Sequence, residues 1–371
     1  MRLQALCFAL TLAASGCSHW GRISPHDPRV RFTGRVERGD PSGPTFSNIG
    51  TSVALRVNAP VVRLHMGELP HEGGRYGLDH FELVIDGRPA GVVAASAPDW
   101  WQTVELEPGE HVVELYKRNE PNVGRAQFLG AEIPWWASLL PAPPRPARRI
   151  ELVGDSYSTG AGNLGPGPEC PYHSATTDGY RIYGAIAGRD LGAEVHFIAW
   201  SGRGVARNYD LTRADTLPQL YERTIPEDPE SRWDFARWTP QAVVLFIGNN
   251  DFNRPDPDVP AFEQGYFNFV MRIRGRYPDA YFFCAYPNVS DEWEAGQRLG
   301  TRAREALDRV LERLRKAGVT RLKTFTLALP APEHGLGCLW HPPIPTHLAW
   351  SQRLRELIAG TMGWGAGREV D

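Results

Sequence analysis

The chain lacks an excess of charge of either sign: 40 Lys and Arg stand against 43 Asp and Glu, a formal charge of −3. Nucleic-acid readers gather Lys and Arg into a basic field, so no nucleic-acid or other polyanionic polymer is expected as a partner. Cysteine is scarce, five in 371 residues. No Cys or His pair has the close spacing of a zinc site, so no metal is expected. Long apolar runs are missing too. The stretch from Leu3 to Ala14 is about a dozen residues, too short for a spanning helix of roughly 20. Internal repeats and long low-complexity tracts are absent. What is abundant is Gly (38), Pro (32) and Trp (12), with 42% hydrophobic residues. That describes a turn-rich globular protein, long enough for two domains.

Residues 1–17 read as an export signal: Arg2, the short apolar stretch, then Ser15 and Gly16 before Cys17. Ala14-Ser15-Gly16-Cys17 resembles the lipobox of bacterial lipoproteins, which implies that Cys17 is lipidated. Ser18 resembles an outer-membrane sorting signal, should the source be Gram-negative. The expected location is the bacterial cell envelope, held to the membrane by the lipid; plain secretion is the alternative. Cys7 leaves with the signal, and Cys170, Cys284 and Cys338 remain in an oxidising compartment. Cys284 lies in the apolar run Tyr281-Phe282-Phe283-Cys284-Ala285, whereas Cys170 and Cys338 lie in Gly/Pro-rich loops. A Cys170–Cys338 disulfide is therefore expected.

The period of the apolar residues changes along the chain. From 28 to 138, short alternating runs broken by turn residues predict an antiparallel β-sandwich. Candidate strands are Val53 to Val57, Val61 to Met66, Phe81 to Ile85 before the turn Asp86-Gly87, and His111 to Tyr116. No helix of useful length is expected there. A proline-rich joint, Pro141-Ala142-Pro143-Pro144-Arg145-Pro146, follows. From 147 to 362, apolar strands alternate with helical stretches, the pattern of a parallel α/β sheet. The strands are Ile150 to Val153, Val195 to Ala199, Ala242 to Ile247, Tyr281 to Ala285 and Leu322 to Leu327. The clearest helix runs from Arg302 to Ala317 and stops at Gly318; the last carries Trp350, Leu354, Leu357 and Ile358 on one face.

In an open α/β sheet the ligand site lies beyond the carboxyl ends of the strands. The first strand runs into Gly154-Asp155-Ser156, which places a hydroxyl on a sharp turn into a helix. Ser156 is a candidate nucleophile or simply a helix cap. The second ends in Trp200-Ser201-Gly202-Arg203-Gly204, where Gly202 lets backbone approach a bound atom, or merely turns the chain. The third ends in Gly248-Asn249-Asn250-Asp251, a polar turn able to aim an Asn amide into the cleft. After the last strand, Gly337-Cys338-Leu339-Trp340-His341-Pro342 delivers one histidine, a base candidate or a surface residue. His173, His334 and His347 lack that context and are expected at the surface or behind the site. Trp340 could stack on a sugar or pack in the core. Of the adjacent pair Trp100 and Trp101, strand alternation puts at least one in the core.

In this order, each at a strand end, the four segments resemble the Ser, Gly, Asn and His blocks of SGNH hydrolases. The likeness sharpens toward carbohydrate esterase family 2, whose members carry a jelly-roll β domain before the SGNH domain. It is carried by Val36 to Thr51 loosely, Ile85-Asp86-Gly87, Leu115-Tyr116-Lys117-Arg118-Asn119-Glu120 and Ala199-Trp200-Ser201-Gly202-Arg203-Gly204. The resemblance implies a flavodoxin-like α/β domain behind a β-sandwich, and deacetylation of carbohydrate without a cofactor; a monomer is expected. It implies Ser156 as nucleophile, His341 as base, and the Ser156 and Gly202 amides with the Asn250 side chain as oxyanion donors. Many SGNH enzymes have an acid three residues before the histidine, where this chain has Cys338. A backbone carbonyl orienting His341, in a Ser-His dyad, is the favoured expectation; Asp251 is the alternative acid. Two rival readings remain: a non-catalytic carbohydrate-binding envelope protein, and an SGNH lipase, thioesterase or O-acetyltransferase.

Overall fold

The structure, a computed structural model, describes residues 20–365 apart from Ala97, Trp293 and Ala295. The signal-like segment with Cys17 lies outside the described residues.

The first domain is a sandwich of two antiparallel sheets. Its strands are β1 (Trp20–Ile23), β2 (Arg31–Thr33), β3 (Thr45–Phe46), β4 (Ser52–Asn58), β5 (Val61–Pro70), β6 (His80–Ile85), β7 (Arg88–Ala94), β8 (Asp99–Glu105), β9 (Glu110–Lys117), β10 (Gly124–Pro134) and β11 (Ser138–Leu139). One sheet runs β1-β10-β5-β8 with β3 on β10; the other runs β11-β4-β9-β6-β7 with β2 on β4. Alternation explains the packing: Leu64 and Met66 of one sheet share a buried core with Val53, Leu55 and Leu115 of the other. The β6–β7 hairpin turns at Asp86 and Gly87, both at positive φ (52° and 79°), as a two-residue hairpin of this twist requires. Trp100 is buried and Trp101 is 40% exposed, as opposite faces of β8 dictate. β1 pairs with the end of β10 and so extends the domain upstream of residue 28.

The second domain is a five-stranded parallel sheet of β12 (Arg148–Gly154), β13 (Ala193–Ala199), β14 (Ala242–Phe246), β15 (Tyr281–Ala285) and β16 (Leu322–Phe325) in the order β13-β12-β14-β15-β16. Its helices are α1 (Ser156–Thr159), α2 (Tyr183–Asp190), α3 (Leu217–Leu220), α4 (Asn249–Phe252), α5 (Val259–Arg276), α6 (Leu299–Lys316) and α7 (Ile344–Met362). Residues of α5 and α6 pack in one core cluster, and those of α2 and α7 in another, so both faces of the sheet are covered. Burial on both sides is why these strands are uninterrupted apolar runs. The strand order reverses between β12 and β14, which places the crevice for a ligand beyond their carboxyl ends.

The domains are tied by buried polar contacts. Arg35 of the sandwich pairs with Glu151 of β12 (3.3 Å), both fully buried, and Glu151 also accepts the Tyr221 hydroxyl. The proline-rich joint is pinned where Arg145 donates to the Phe32 carbonyl (2.8 Å).

Candidate active site

Ser156 opens α1 directly after β12, with Asp155 as the cap: one Asp155 oxygen accepts the Tyr157 amide (3.2 Å) and the other accepts Asn249 Nδ2 (2.8 Å). Burial pushes the Asp155 carboxyl up to about 7. Asn249 in turn accepts the Asn288 amide (2.6 Å), so the turns after β12, β14 and β15 are hydrogen-bonded to one another. Gly154 is required here, because a Cβ would fall 2.0 Å from Ser158 Oγ. As the first helical residue, Ser156 has no partner four residues back for its N–H. Among the described residues its hydroxyl has no hydrogen-bond partner either.

The loop after β13 brings Gly202 to the same crevice. Its φ is +77°, and a Cβ there would meet nothing nearer than 3.9 Å, so the glycine is needed for backbone conformation, not for room. Its carbonyl accepts Tyr209 N–H, while its own N–H has no partner among the described residues. Asn250, buried in α4, donates one amide hydrogen to the Arg203 carbonyl (2.9 Å), which leaves the second free. Two unpaired backbone N–H groups and one side-chain N–H thus stand at neighbouring strand ends, where a developing anion would need them.

The histidine arrives on a loop clamped to the one after α1. Cys338 N–H donates to the Gly162 carbonyl and Leu339 N–H to the Pro168 carbonyl (both 2.9 Å), and Cys338 is disulfide-bonded to Cys170. His341 Nδ1 lies 3.0 Å from the Cys338 carbonyl oxygen. A carbonyl only accepts, so Nδ1 carries the hydrogen and Nε2 holds the free lone pair. Burial holds the imidazole below its ordinary pKa of 6.5, outweighing the raising effect of the Cys338 and Leu339 backbone groups. The ring stands edge-on to Tyr157, the residue after Ser156, at 5.7 Å between centroids.

Asp251 does not have the auxiliary-acid role considered for it. Its carboxylate accepts the amides of Val205, Ala206 and Arg207 at 2.8 to 3.0 Å, so it staples the loop after Gly202 instead. Burial raises it to about 6 against those lowering contacts. Trp340 is not a core residue: it is 61% exposed, and both it and Leu339, at positive φ, present exposed side chains next to His341 in the chain. His173 caps a turn by accepting the Ala175 amide, and His334 lies 3.1 Å from Thr346 Oγ1. His347, expected at the surface or behind the site, is buried, and neither ring nitrogen has a hydrogen-bond partner among the described residues; it stacks on Tyr183 and meets Trp350 edge-on.

Sequence reasoning overlooked Glu120. This residue of the sandwich is fully buried and accepts Ser201 N–H (2.5 Å), Ser201 Oγ (2.6 Å) and Thr159 Oγ1 (3.2 Å). It fastens the Gly202 loop and α1 together from the other domain. Two signals were available, its place at the end of the Leu115 to Glu120 stretch that carries the family likeness and an acid inside the turn Arg118-Asn119-Glu120-Pro121, and neither names its partners. Among the described residues no group of three or more His, Cys, Asp or Glu is placed to hold a metal ion.

Both domains have counterparts among known proteins. Residues 32–143 match the model of the carbohydrate esterase 2 N-terminal domain, and residues 152–348 that of the GDSL-like lipase/acylhydrolase family. The cellulase/esterase CelE of Acetivibrio thermocellus is 31% identical over 344 residues, 91% of this chain; the match spans 40% of the length of CelE. An acetylxylan esterase/glucomannan deacetylase of Cellvibrio japonicus is 28% identical over 264 residues, 70% of this chain and 71% of that protein. A solved family two carbohydrate esterase from Clostridium thermocellum, in complex with cellohexaose, superposes with a TM-score of 0.83 at 29% identity, over 91% of this chain and 100% of that one.

Proposed function

Because the chain belongs to the GDSL-like lipase/acylhydrolase family and carries the N-terminal domain of carbohydrate esterase family 2, we propose that it is a serine esterase that removes O-acetyl groups from carbohydrate. Ser156 Oγ attacks the acetyl carbonyl while His341 Nε2 takes its proton. The tetrahedral oxyanion is held by the Ser156 and Gly202 amides and the second Asn250 hydrogen. Collapse releases the sugar hydroxyl with the proton from His341 and leaves an acetyl-enzyme, which water then hydrolyses with His341 as base. The observation that carries this reading is the Cys338 carbonyl on His341 Nδ1: it supplies the tautomer a general base needs where no carboxylate is present. The Ser156–Nε2 hydrogen bond forms with substrate, as catalytic contacts commonly tighten only in the complex.

Trp340 stands beside the base as a platform for a sugar ring. We further propose that the protein is exported and anchored to the cell envelope through lipidated Cys17, and acts as a monomer. The test is release of acetate from p-nitrophenyl acetate and from acetylated xylan or glucomannan by wild type and by Ser156→Ala. Wild type should exceed the variant by about 10⁴-fold or more. Equal rates on every ester would replace the esterase with a binding protein; preference for long acyl chains would indicate a lipase, and acetyl transfer to added sugar a transferase.

A further inference from the structure

One cavity lies away from the strand ends that carry Ser156 and His341. It opens at the opposite edge of the parallel sheet, between the two domains, with a volume of about 410 Å³. Arg149 on its wall and Ser156 are seven residues apart along β12 and the turn beyond it, a separation of roughly 20 Å at the rise of a strand. This site is separate from the active-site crevice.

Its lining is unbalanced in charge. Arg38, Arg145, Arg149 and Arg237 face it with one carboxylate, Glu194. Arg145 grips both oxygens of Glu194 (3.0 and 2.9 Å), and His196 Nε2 lies 3.3 Å from the same group, so Glu194 is committed. Among the described residues Arg38 and Arg149 have no carboxylate partner. Arg38 rests on the Phe32 ring, its charge disfavoured by burial and then by Arg237 and Arg145. Like charges facing one cavity repel one another, and a bound anion relieves that repulsion. The overall charge of the chain hides this local concentration.

The rest of the wall is aromatic. Trp238 stacks face to face on His196 (3.6 Å between centroids, 7° between planes), and Trp233 meets the same His196. The indole N–H of Trp238 and Nδ1 of His196 are buried without a hydrogen-bond partner among the described residues. Guanidinium forks match a carboxylate or phosphate bidentately, aromatic faces suit the C–H face of a pyranose, and the volume has room for one or two sugar rings.

We infer that this interdomain cavity binds an anionic sugar unit, a ring bearing a carboxylate or phosphate, at a site distinct from the esterase centre. Arg38 and Arg237 hold the anion and the Trp238–His196 stack supports the ring. Such a ligand bridges the two domains and stabilises the folded chain by mass action. The inference does not rest on the esterase reading, since Ser156→Ala should bind as well as wild type.

The experiment titrates full-length protein with glucuronate, glucose 6-phosphate, glucose and inorganic phosphate at constant ionic strength, following Tm and tryptophan fluorescence. Glucuronate or glucose 6-phosphate should raise Tm by roughly 5 to 10 °C at a hundredfold excess over Kd, and which of them does so identifies the anion. Arg38→Gln/Arg237→Gln should lose the shift while keeping a cooperative thermal transition. Wild-type data alone decide the matter if that variant misfolds. Anionic sugars giving no more shift than glucose would overturn the site, and inorganic phosphate reproducing the whole shift would overturn the assignment of a sugar.

Discussion

Replacing both Cys170 and Cys338 with alanine tests whether the base is positioned by the disulfide. The bridge closes a loop of 168 residues and ends three residues before His341. Chain entropy for a loop of that length gives about 5 kcal/mol, an upper figure, and loss of native bridges usually costs ~2–5 kcal/mol. A loss of 3 kcal/mol lowers Tm by roughly 6 to 12 °C in a domain of this size. A second effect is kinetic. Cys338 supplies the carbonyl that orients His341, and its loop is held by the bridge and by two backbone hydrogen bonds, to Gly162 and Pro168. Loosening it displaces the imidazole, and misplacement of about 1 Å costs up to ~10²-fold, so kcat/KM should fall about 10- to 100-fold. The assay is calorimetry for Tm and acetate release well below the variant's transition. An unchanged Tm would refute the stabilising role. Full kcat/KM in a destabilised but folded variant would refute the positioning role.

Asn250→Ala should lower kcat for acetate release by about 10²- to 10³-fold with little change in KM, as expected for a donor used only in the transition state. The acid limb of kcat/KM should have its midpoint below 6.5, because burial depresses the His341 pKa and the neutral imidazole is the base; activity is present above that pKa and lost as pH falls through it. A midpoint above 6.5 in a pH-rate profile would contradict the burial argument. His347→Phe should raise Tm more at pH 5 than at pH 8. His347 is held near 3 by burial, then by His341, so the unfolded chain takes up a proton that the folded chain refuses. Wild-type stability is therefore complete above about 6.5 and falls below it, by about 2 kcal/mol between pH 6.5 and 5, a slope the phenylalanine ring removes.

The reading of the fold from sequence succeeded where one periodicity dominates a segment. Val53 to Val57 alternates and forms β4; Tyr281 to Ala285 is continuously apolar and forms β15 with those bounds. Leu307, Val310, Leu311 and Leu314 repeat at helical spacing and are buried on α6. α5 was overlooked because its buried positions, Phe262, Tyr266, Phe269, Val270 and Ile273, are largely aromatic and β-branched residues, with Pro260 and Gly265 among them, so its local propensity hides the helical period.

By itself the sequence determined which residues stand at strand ends, since a parallel sheet covered by helices fixes where a hydroxyl after β12 or an amide after β14 must emerge. It also determined that no acid lies three residues before His341. Only tertiary structure decided what each polar group touches. That Asp251 serves the amides of 205–207, that Glu120 reaches Ser201 across the domain boundary, and that four arginines meet at one cavity all depend on contacts between residues about 45 to 200 positions apart. Hydrogen bonds and ion pairs act over about 3 Å in space, whatever the separation along the chain, and no local pattern encodes such encounters.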